Sequence, residues 1–157
     1  IKHKENNNSN FKISKNVNQF LQKEKKFGIT KLSTYQEFSP KVNIIKRKIW
    51  KFFIDAKKNN KKIVGYGAPA KGNTLLNFCG IDKSFIPYTV DLNPHKQGKF
   101  LPGTHIPILH PNKIKTTKPD YLLILPWNLK EEIIEQMHFI REWGGQFVVL
   151  IPEVKIL

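Results

Sequence analysis

The sequence predicts an α/β domain with a small, mostly parallel sheet and helices on both faces, preceded by a helical N-terminal extension. Three observations support this fold class. Apolar runs of four to six residues, typical of buried parallel strands, recur after residue 62. Amphipathic segments lie between these runs, and glycine or proline marks most junctions. The segment before residue 62 shows only the three- and four-residue spacing of helices.

Two amphipathic helices are predicted in the N-terminal part. Ser14 can cap a helix with an apolar stripe, and Gly28 provides its C-terminal stop. A linker follows. Ser39 and Pro40 then offer a capping hydroxyl and a proline at the first helical position, so a second helix is expected to run from there to about Lys58.

Residues 63–157 predict the order strand–helix–strand–strand–helix–strand, with a further short edge strand at 106–109 between the second and third of these strands. The two long helices expected in this part end at glycines. The long loop before the strand at 106–109 is rich in proline and glycine. This strand contains a proline, which is tolerated at the edge of a sheet. The expected strands are 63–66, 85–90, 106–109, 121–125 and 147–151, and the expected helices are 71–79 and 129–143.

The formal charge is +15, which raises the possibility of a nucleic-acid ligand. Residues 1–62 carry +13 of this excess and residues 63–157 only +2, and the first segment is rich in Lys, Asn and Ile. A biased codon usage would give the same composition, so a solvated lysine-rich face is the simpler interpretation. Nucleic acid is therefore an unlikely partner.

Composition also limits the compartment and the site chemistry. Cys79 is the only cysteine, which excludes an internal disulfide and a cysteine-cluster zinc site and fits the cytoplasm. No apolar run approaches the length of a membrane-spanning helix, so we expect no membrane insertion. The five histidines show no metal-ligand spacing, and no metal is expected.

A glycine-rich turn follows the first strand, with the sequence GYGAPAKGNT over 65–74. Such a turn lets backbone N–H groups approach a phosphate at the start of a helix. Asp91, at the end of the next strand, is placed to accept hydrogen bonds from a ribose. The spacing is G-x-G-x-x-x-x-G, which departs from both the dinucleotide fingerprint and the P-loop. A tight turn that needs small residues for packing remains the alternative.

The same turn, extended to GYGAPAKGNTLLN over 65–77, resembles the C-terminal domain of the sugar-nucleotide C-methyltransferases, which depend on S-adenosylmethionine. Segments 90–108, 118–121, 125–130 and 143–147 are similar to the same family in the same order. The resemblance implies a Rossmann-like domain at 62–157, a basic helical lead-in at 14–61 and an irregular tail at 1–13 that leads from a missing upstream domain. The chain also begins without methionine, which agrees with a piece of a longer protein.

The resemblance implies a role for this chain on the substrate side. Enzymes of this family remove a proton next to a keto group of a nucleotide-linked deoxysugar, with dTDP as the expected nucleotide, and methylate the carbanion. Adenosylmethionine and the Tyr-x-Glu-His catalytic segment belong to the upstream methyltransferase domain, and this chain contains no such segment. Alone, it is expected to be inactive. The alternatives are a stand-alone nucleotide- or dinucleotide-binding module and, less favoured, a basic nucleic-acid-binding protein.

Candidate substrate-binding residues follow from the turn and the loops beside it. The turn is the first choice for the diphosphate, Lys71 can add a charge, and Asp91 can bind ribose. Trp127 can stack on a base or sugar, whereas Asn128 can bind ligand or cap a helix. His105 is a weak candidate for a general base, and a histidine bonded to its own loop is the simpler interpretation. The set is Gly65, Tyr66, Gly67, Ala68, Pro69, Ala70, Lys71, Gly72, Asn73, Asn77, Asp91, His105, Trp127 and Asn128.

Overall fold

A computed structural model describes residues 14–157, and the expected irregular tail at 1–13 lies outside the described residues. The chain divides into two compact units, 1–42 and 43–157. The first contains α1 (Lys15–Phe27) and α2 (Leu32–Gln36), and α3 (Phe38–Lys58) begins in it and continues into the second. The second unit therefore begins within the segment that we expected as lead-in.

The ends of α1 agree with the sequence prediction. The Ser14 hydroxyl accepts a hydrogen bond from the Asn16 N–H (3.2 Å), and Gly28 takes a left-handed conformation with φ 84°. The predicted linker, in contrast, contains the short helix α2. The hydroxyls of Thr34 and Tyr35 donate to the carbonyls of Gly28 (2.8 Å) and Ile29 (2.6 Å), so contacts between these residues fold the linker.

The second unit contains a six-stranded sheet among the described residues. Its strands are β1 (Ile63–Tyr66), β2 (Thr89–Val90), β3 (Ile108–Leu109), β4 (Tyr121–Ile124), β5 (Gln146–Val149) and β6 (Lys155–Ile156). Their order is β3-β2-β1-β4-β5-β6, with five parallel strands and β6 antiparallel to β5. This is the Rossmann strand order. Successive strands are added on one side of β1 and then, from β4 onwards, on its other side, and this change of side leaves a crevice at the carboxyl edge of the sheet. The predicted α/β fold is confirmed.

Helices cover both faces of the sheet, because alternate strand residues point to opposite sides. On one face, Ile63 and Leu123 pack with Phe53 of α3 and with α4 (Ala70–Cys79). On the other, Val64 and Leu122 pack with α5 (Lys113–Thr117), α6 (Lys130–Gln136) and the 3-10 turn His138–Trp143. Two apolar layers therefore hold the sheet.

Several elements differ from the sequence prediction. The helix expected to begin at a Ser39 cap begins at Phe38 instead, and the strand expected at 106–109 is reduced to β3. The strand expected at 85–90 is reduced to β2, because Phe85 and Ile86 hydrogen-bond back to the Asp82 carbonyl and Pro87 has no N–H to give to the sheet. The helix expected at 129–143 is interrupted at Met137 and continues as a 3-10 turn. A 3-10 turn aligns residues three apart, which keeps Met137 and Ile140 in the same core layer.

The described helices include none that is both long and apolar enough to cross a bilayer. Cys79 is buried, with 2% of its surface exposed, and burial raises the pKa of its thiol. The burial of Cys79 agrees with a structural role for the cysteine.

Candidate functional site

The glycine-rich turn connects β1 to α4 at the carboxyl edge of the sheet, as the sequence predicts. Gly67 has φ 88°, and a Cβ at this position would lie 2.7 Å from Cδ of Pro126. Its N–H donates to the Val90 carbonyl at 2.6 Å. Glycine is required here because a side chain would be strained in this conformation and would collide with the loop after β4.

The other two glycines of the motif allow close packing. A Cβ on Gly65 would lie 2.6 Å from Oγ1 of Thr89, and one on Gly72 would lie 2.9 Å from Cβ of Leu125. The Thr89 hydroxyl, buried between the strands, donates to the Gly67 carbonyl at 2.8 Å. The unusual glycine spacing therefore follows from strand and helix packing around the turn.

Asp91 lies directly after β2 and holds the turn. Its Oδ2 accepts hydrogen bonds from the Ala68 N–H (2.7 Å) and from Nζ of Lys96 (3.2 Å), and its Oδ1 accepts from the Asn93 N–H (2.8 Å). Lys96 also donates to the Ala68 carbonyl at 3.1 Å. An ionised carboxylate offers about four acceptor positions, so three of those on Asp91 are already used.

Three predicted residues come together on the far side of the turn. The Lys71 ammonium lies 4.5 Å from the ring centroid of Trp127 and donates a hydrogen bond to Oδ1 of Asn128. Asn128 therefore accepts from a lysine and makes no side-chain cap to its helical turn. Lys71 is held by a cation–π contact and a hydrogen bond, which fix the start of α4 against the loop after β4.

Two cavities open on either side of Ala68 and Pro69. We name them the Tyr66 cavity, of about 280 Å³, and the Asn73 cavity, of about 360 Å³. The Tyr66 cavity is lined by Tyr66, Gly67, Ala68, Pro69, Asp91, Leu92, Lys96, Pro126, Leu129, Glu132, Ile133 and Gln136. The Asn73 cavity is lined by Ala68, Pro69, Ala70, Asn73, Lys96, Lys99, Phe100, Leu101, Pro102 and Ile108. Lys96 is common to both.

The Tyr66 hydroxyl donates to Oε1 of Gln136 at the wall of the first cavity. Tyr66 is only 5% exposed. Burial raises the pKa of this phenol, and the nearby negative charges of Asp91 and Glu132 raise it further. Tyr66 therefore remains a neutral hydroxyl near pH 7 and cannot serve as an anionic base there.

The remaining candidates divide into one that lines a cavity and two that do not. Asn73 lines the Asn73 cavity. Asn77, one turn later, donates to the carbonyls of Asn73 (2.9 Å) and Pro102 (3.0 Å), so its amide ties α4 to the following loop. His105 is exposed, has φ 53° and lines neither cavity.

A third cavity, of about 670 Å³, lies at the opposite, amino edge of the sheet and contains none of the predicted residues. Lys113 lines it. Next to this edge, Asp120 accepts hydrogen bonds from Nζ of Lys61 (2.9 Å) and the N–H of Lys62 (2.8 Å). Partial burial raises the pKa of Asp120, but these hydrogen bonds outweigh that effect and leave the pKa below its ordinary value.

Sequence reasoning missed Lys96, Lys99, Glu132 and Gln136. Glu132 and Gln136 carry a weak signal in the sequence. They lie four residues apart and so share one face of α6. Lys96 and Lys99 come from a proline- and glycine-rich loop whose path no local pattern predicts. Residues 14–157 contain no group of three or more His, Cys, Asp or Glu side chains that could hold a metal ion.

Comparison with known proteins agrees with the resemblance noted in the sequence. C-methyltransferase NovU of Streptomyces niveus is 37% identical over 141 residues, which represent 90% of this chain and 34% of that protein. The chain thus spans about a third of the length of this relative. UDP-D-quinovosamine 4-dehydrogenase from Vibrio fischeri is a solved structure with 23% identity and a TM-score of 0.46, covering 62% of this chain and 93% of that one.

The family comparison covers nearly the whole sequence. A model of the C-methyltransferase C-terminal domain matches residues 1–152, which include the glycine-rich turn, Asp91 and all residues that line the two cavities. This chain belongs to the C-methyltransferase C-terminal domain family.

Proposed function

We propose that this chain is the substrate-side domain of an S-adenosylmethionine-dependent C-methyltransferase that acts on a nucleotide-linked keto-deoxysugar, with dTDP as the expected nucleotide. Its role is to bind the sugar nucleotide at the carboxyl edge of the sheet and to pack on an upstream methyltransferase domain. The observation that carries the proposal is the pair of cavities on either side of the glycine-rich turn. They lie at the switch point where Rossmann-like sheets bind ligands.

The described residues do not fit adenosylmethionine. A nucleoside ribose needs a carboxylate with free acceptor positions at the end of β2. Asp91 is the carboxylate at that place, and Ala68, Asn93 and Lys96 already take three of its about four acceptor positions. We therefore assign the methyl donor to the upstream domain, and the chain's own residues bind and orient the substrate only.

The hydrogen bonds of Asp91 also argue against a stand-alone dinucleotide-binding module, because NAD would use the same carboxylate for its ribose.

No catalytic residue is assigned in this chain. His105, the weak candidate for a base, lines neither cavity, and Tyr66 keeps its proton near pH 7. Removal of the substrate proton is therefore a task for the upstream domain as well. The single buried Cys79 is consistent with a reducing compartment such as the cytoplasm.

Thermal unfolding with different ligands tests the proposal. A ligand that binds only the folded state stabilises it by about 2.7 kcal/mol at 100 times its Kd. We expect dTDP and dTDP-glucose to raise the melting temperature, and NAD, adenosylmethionine and single-stranded DNA to leave it unchanged. Stabilisation by NAD alone would favour the dinucleotide-binding alternative. Stabilisation by DNA alone, lost at high salt, would favour the nucleic-acid alternative.

A further inference from the structure

The two cavities beside the glycine-rich turn differ in charge. The Asn73 cavity is lined by two basic residues, Lys96 and Lys99, and, among the described residues, by no acidic residue. The start of α4, a helix of ten residues, adds the positive end of its dipole. The Tyr66 cavity is lined by the carboxylates of Asp91 and Glu132, and Lys96 is its single cation.

We propose that the turn separates an anion subsite from a subsite for an uncharged ring, so that the charges fix the direction in which the ligand lies. The diphosphate occupies the Asn73 cavity, and Tyr66, Glu132 and Gln136 select an uncharged ring that carries hydrogen-bonding groups. This inference rests on the proposed function, since it concerns the same sugar nucleotide. The ring is the sugar or the nucleobase, and the probes below distinguish them.

The anion subsite is assigned to the Asn73 cavity because Lys99, which lines it, is better placed to bind phosphate than Lys71 is. Lys71 lines neither cavity and is held by Trp127 and Asn128. Lys99 has no hydrogen bond or ion pair through its side chain within residues 14–157, so its ammonium can bind an anion without breaking a contact described there. Phe100, 60% exposed, gives the same cavity an apolar wall for the part of the ligand beyond the phosphates.

The uncharged subsite is assigned to the Tyr66 cavity because its polar groups suit hydroxyl or amide groups. The Tyr66 hydroxyl is neutral and buried, and the Gln136 amide beside it has both donors and an acceptor. The Glu132 carboxylate can accept from a ligand hydroxyl, but it repels a phosphate. A second diphosphate-binding position here would place like charges in one small cavity, which is unfavourable.

Lys96 marks the boundary between the subsites. Its ammonium bonds to both the Asp91 carboxylate (3.2 Å) and the Ala68 carbonyl (3.1 Å), and its side chain lines both cavities. The Asp91 carboxylate neutralises much of the charge of Lys96. Lys99 has no such partner, and it is therefore the better residue to test.

The test measures the Kd of pyrophosphate, dTDP and dTDP-glucose by calorimetry for the chain and three variants. Lys99→Gln is expected to weaken all three about tenfold, the effect of one lost charge-assisted hydrogen bond. Tyr66→Phe and Glu132→Gln keep the packing of the cavity. They are expected to weaken dTDP-glucose alone by about fivefold if the sugar occupies the Tyr66 cavity, and both nucleotides if the base does. Neither is expected to weaken pyrophosphate.

Two matched controls separate these effects from general charge changes. Lys113→Gln removes a lysine at the opposite edge of the sheet, and Glu131→Gln removes the carboxylate next to Glu132 outside both cavities. Both are expected to leave all three Kd values within twofold. If dTDP-glucose binds but Lys99→Gln has no more effect than Lys113→Gln, or Glu132→Gln weakens pyrophosphate, the two-subsite inference is wrong. If neither nucleotide binds the unmodified chain, the proposed function is wrong, and this inference, which rests on it, is wrong as well.

Discussion

Replacing Asp91 by alanine should destabilise the second unit and collapse the geometry of the glycine-rich turn. The carboxylate is 12% exposed and accepts from the N–H groups of Ala68 and Asn93 and from Lys96. A hydrogen bond to a charged group contributes about 1.5–3 kcal/mol. The Asn93 N–H and the Lys96 ammonium are exposed enough to form hydrogen bonds with water once the carboxylate is removed. The loss is therefore dominated by the Ala68 bond, and we expect Asp91→Ala to lower the free energy of unfolding by about 3 kcal/mol.

Urea unfolding followed by tryptophan fluorescence measures this effect directly. All three tryptophans, Trp50, Trp127 and Trp143, lie in the second unit, so the signal reports on the unit that contains Asp91. Asp55→Ala is the matched control, because within residues 14–157 the ion-pair partner of Asp55 is Lys51 on the surface of α3, and the loss of such a surface pair should cost less than about 1 kcal/mol. A loss for Asp91→Ala no larger than that of Asp55→Ala would refute the conclusion that this carboxylate holds the turn.

Four further substitutions test other parts of the structure. His105→Gly should raise the free energy of unfolding by up to about 1 kcal/mol in urea, because glycine tolerates φ 53°, and nucleotide affinity should not change. Thr104→Val should be neutral or stabilising in the same assay, since the hydroxyl of this buried residue has no hydrogen-bond partner within residues 14–157. Gly65→Ala should cost about 1–3 kcal/mol, because the added Cβ would lie 2.6 Å from Oγ1 of Thr89. Asp120→Asn should flatten the stability–pH curve below about pH 5. The folded pKa of Asp120 is lowered, so its contribution is present above the unfolded pKa and is lost as the pH falls through the folded one. Equal acid sensitivity of the variant and the parent would contradict this assignment.

Local patterns predicted the elements whose cause is local. Ser14 and Gly28 bound α1 because a hydroxyl cap and a left-handed glycine act within a few residues of themselves. The unbroken apolar run at β4 predicted a buried parallel strand, and three of its four residues are buried. The Rossmann order of strands is one of the few that right-handed crossovers between parallel strands allow.

Elements that depend on distant partners were not predictable in the same way. The break at Met137 depends on how Met137 and Ile140 pack in the core. The elements α5 and β6 are too short for sequence periodicity to identify. In the site, Asp91 was expected to bind a ribose, because it directly follows β2. That position places a carboxylate at the carboxyl edge of the sheet, but it does not predict the groups with which the carboxylate forms hydrogen bonds. Lys96, five residues later, takes one of the positions that a ribose would use, and only the folded loop brings it there.

The same loop changes what the overall charge of +15 means for function. A uniformly basic surface would bind any polyanion, yet two of the three lysines around the glycine-rich turn are already engaged, Lys71 with Asn128 and Lys96 with Asp91. A nucleic-acid strand running along the carboxyl edge would bring phosphates against both carboxylates of the Tyr66 cavity. A ligand with one diphosphate and one uncharged end meets no such repulsion. The selectivity that we propose for the site therefore comes from the uneven placement of its charges, and the net charge of the chain is a poor guide to its ligand.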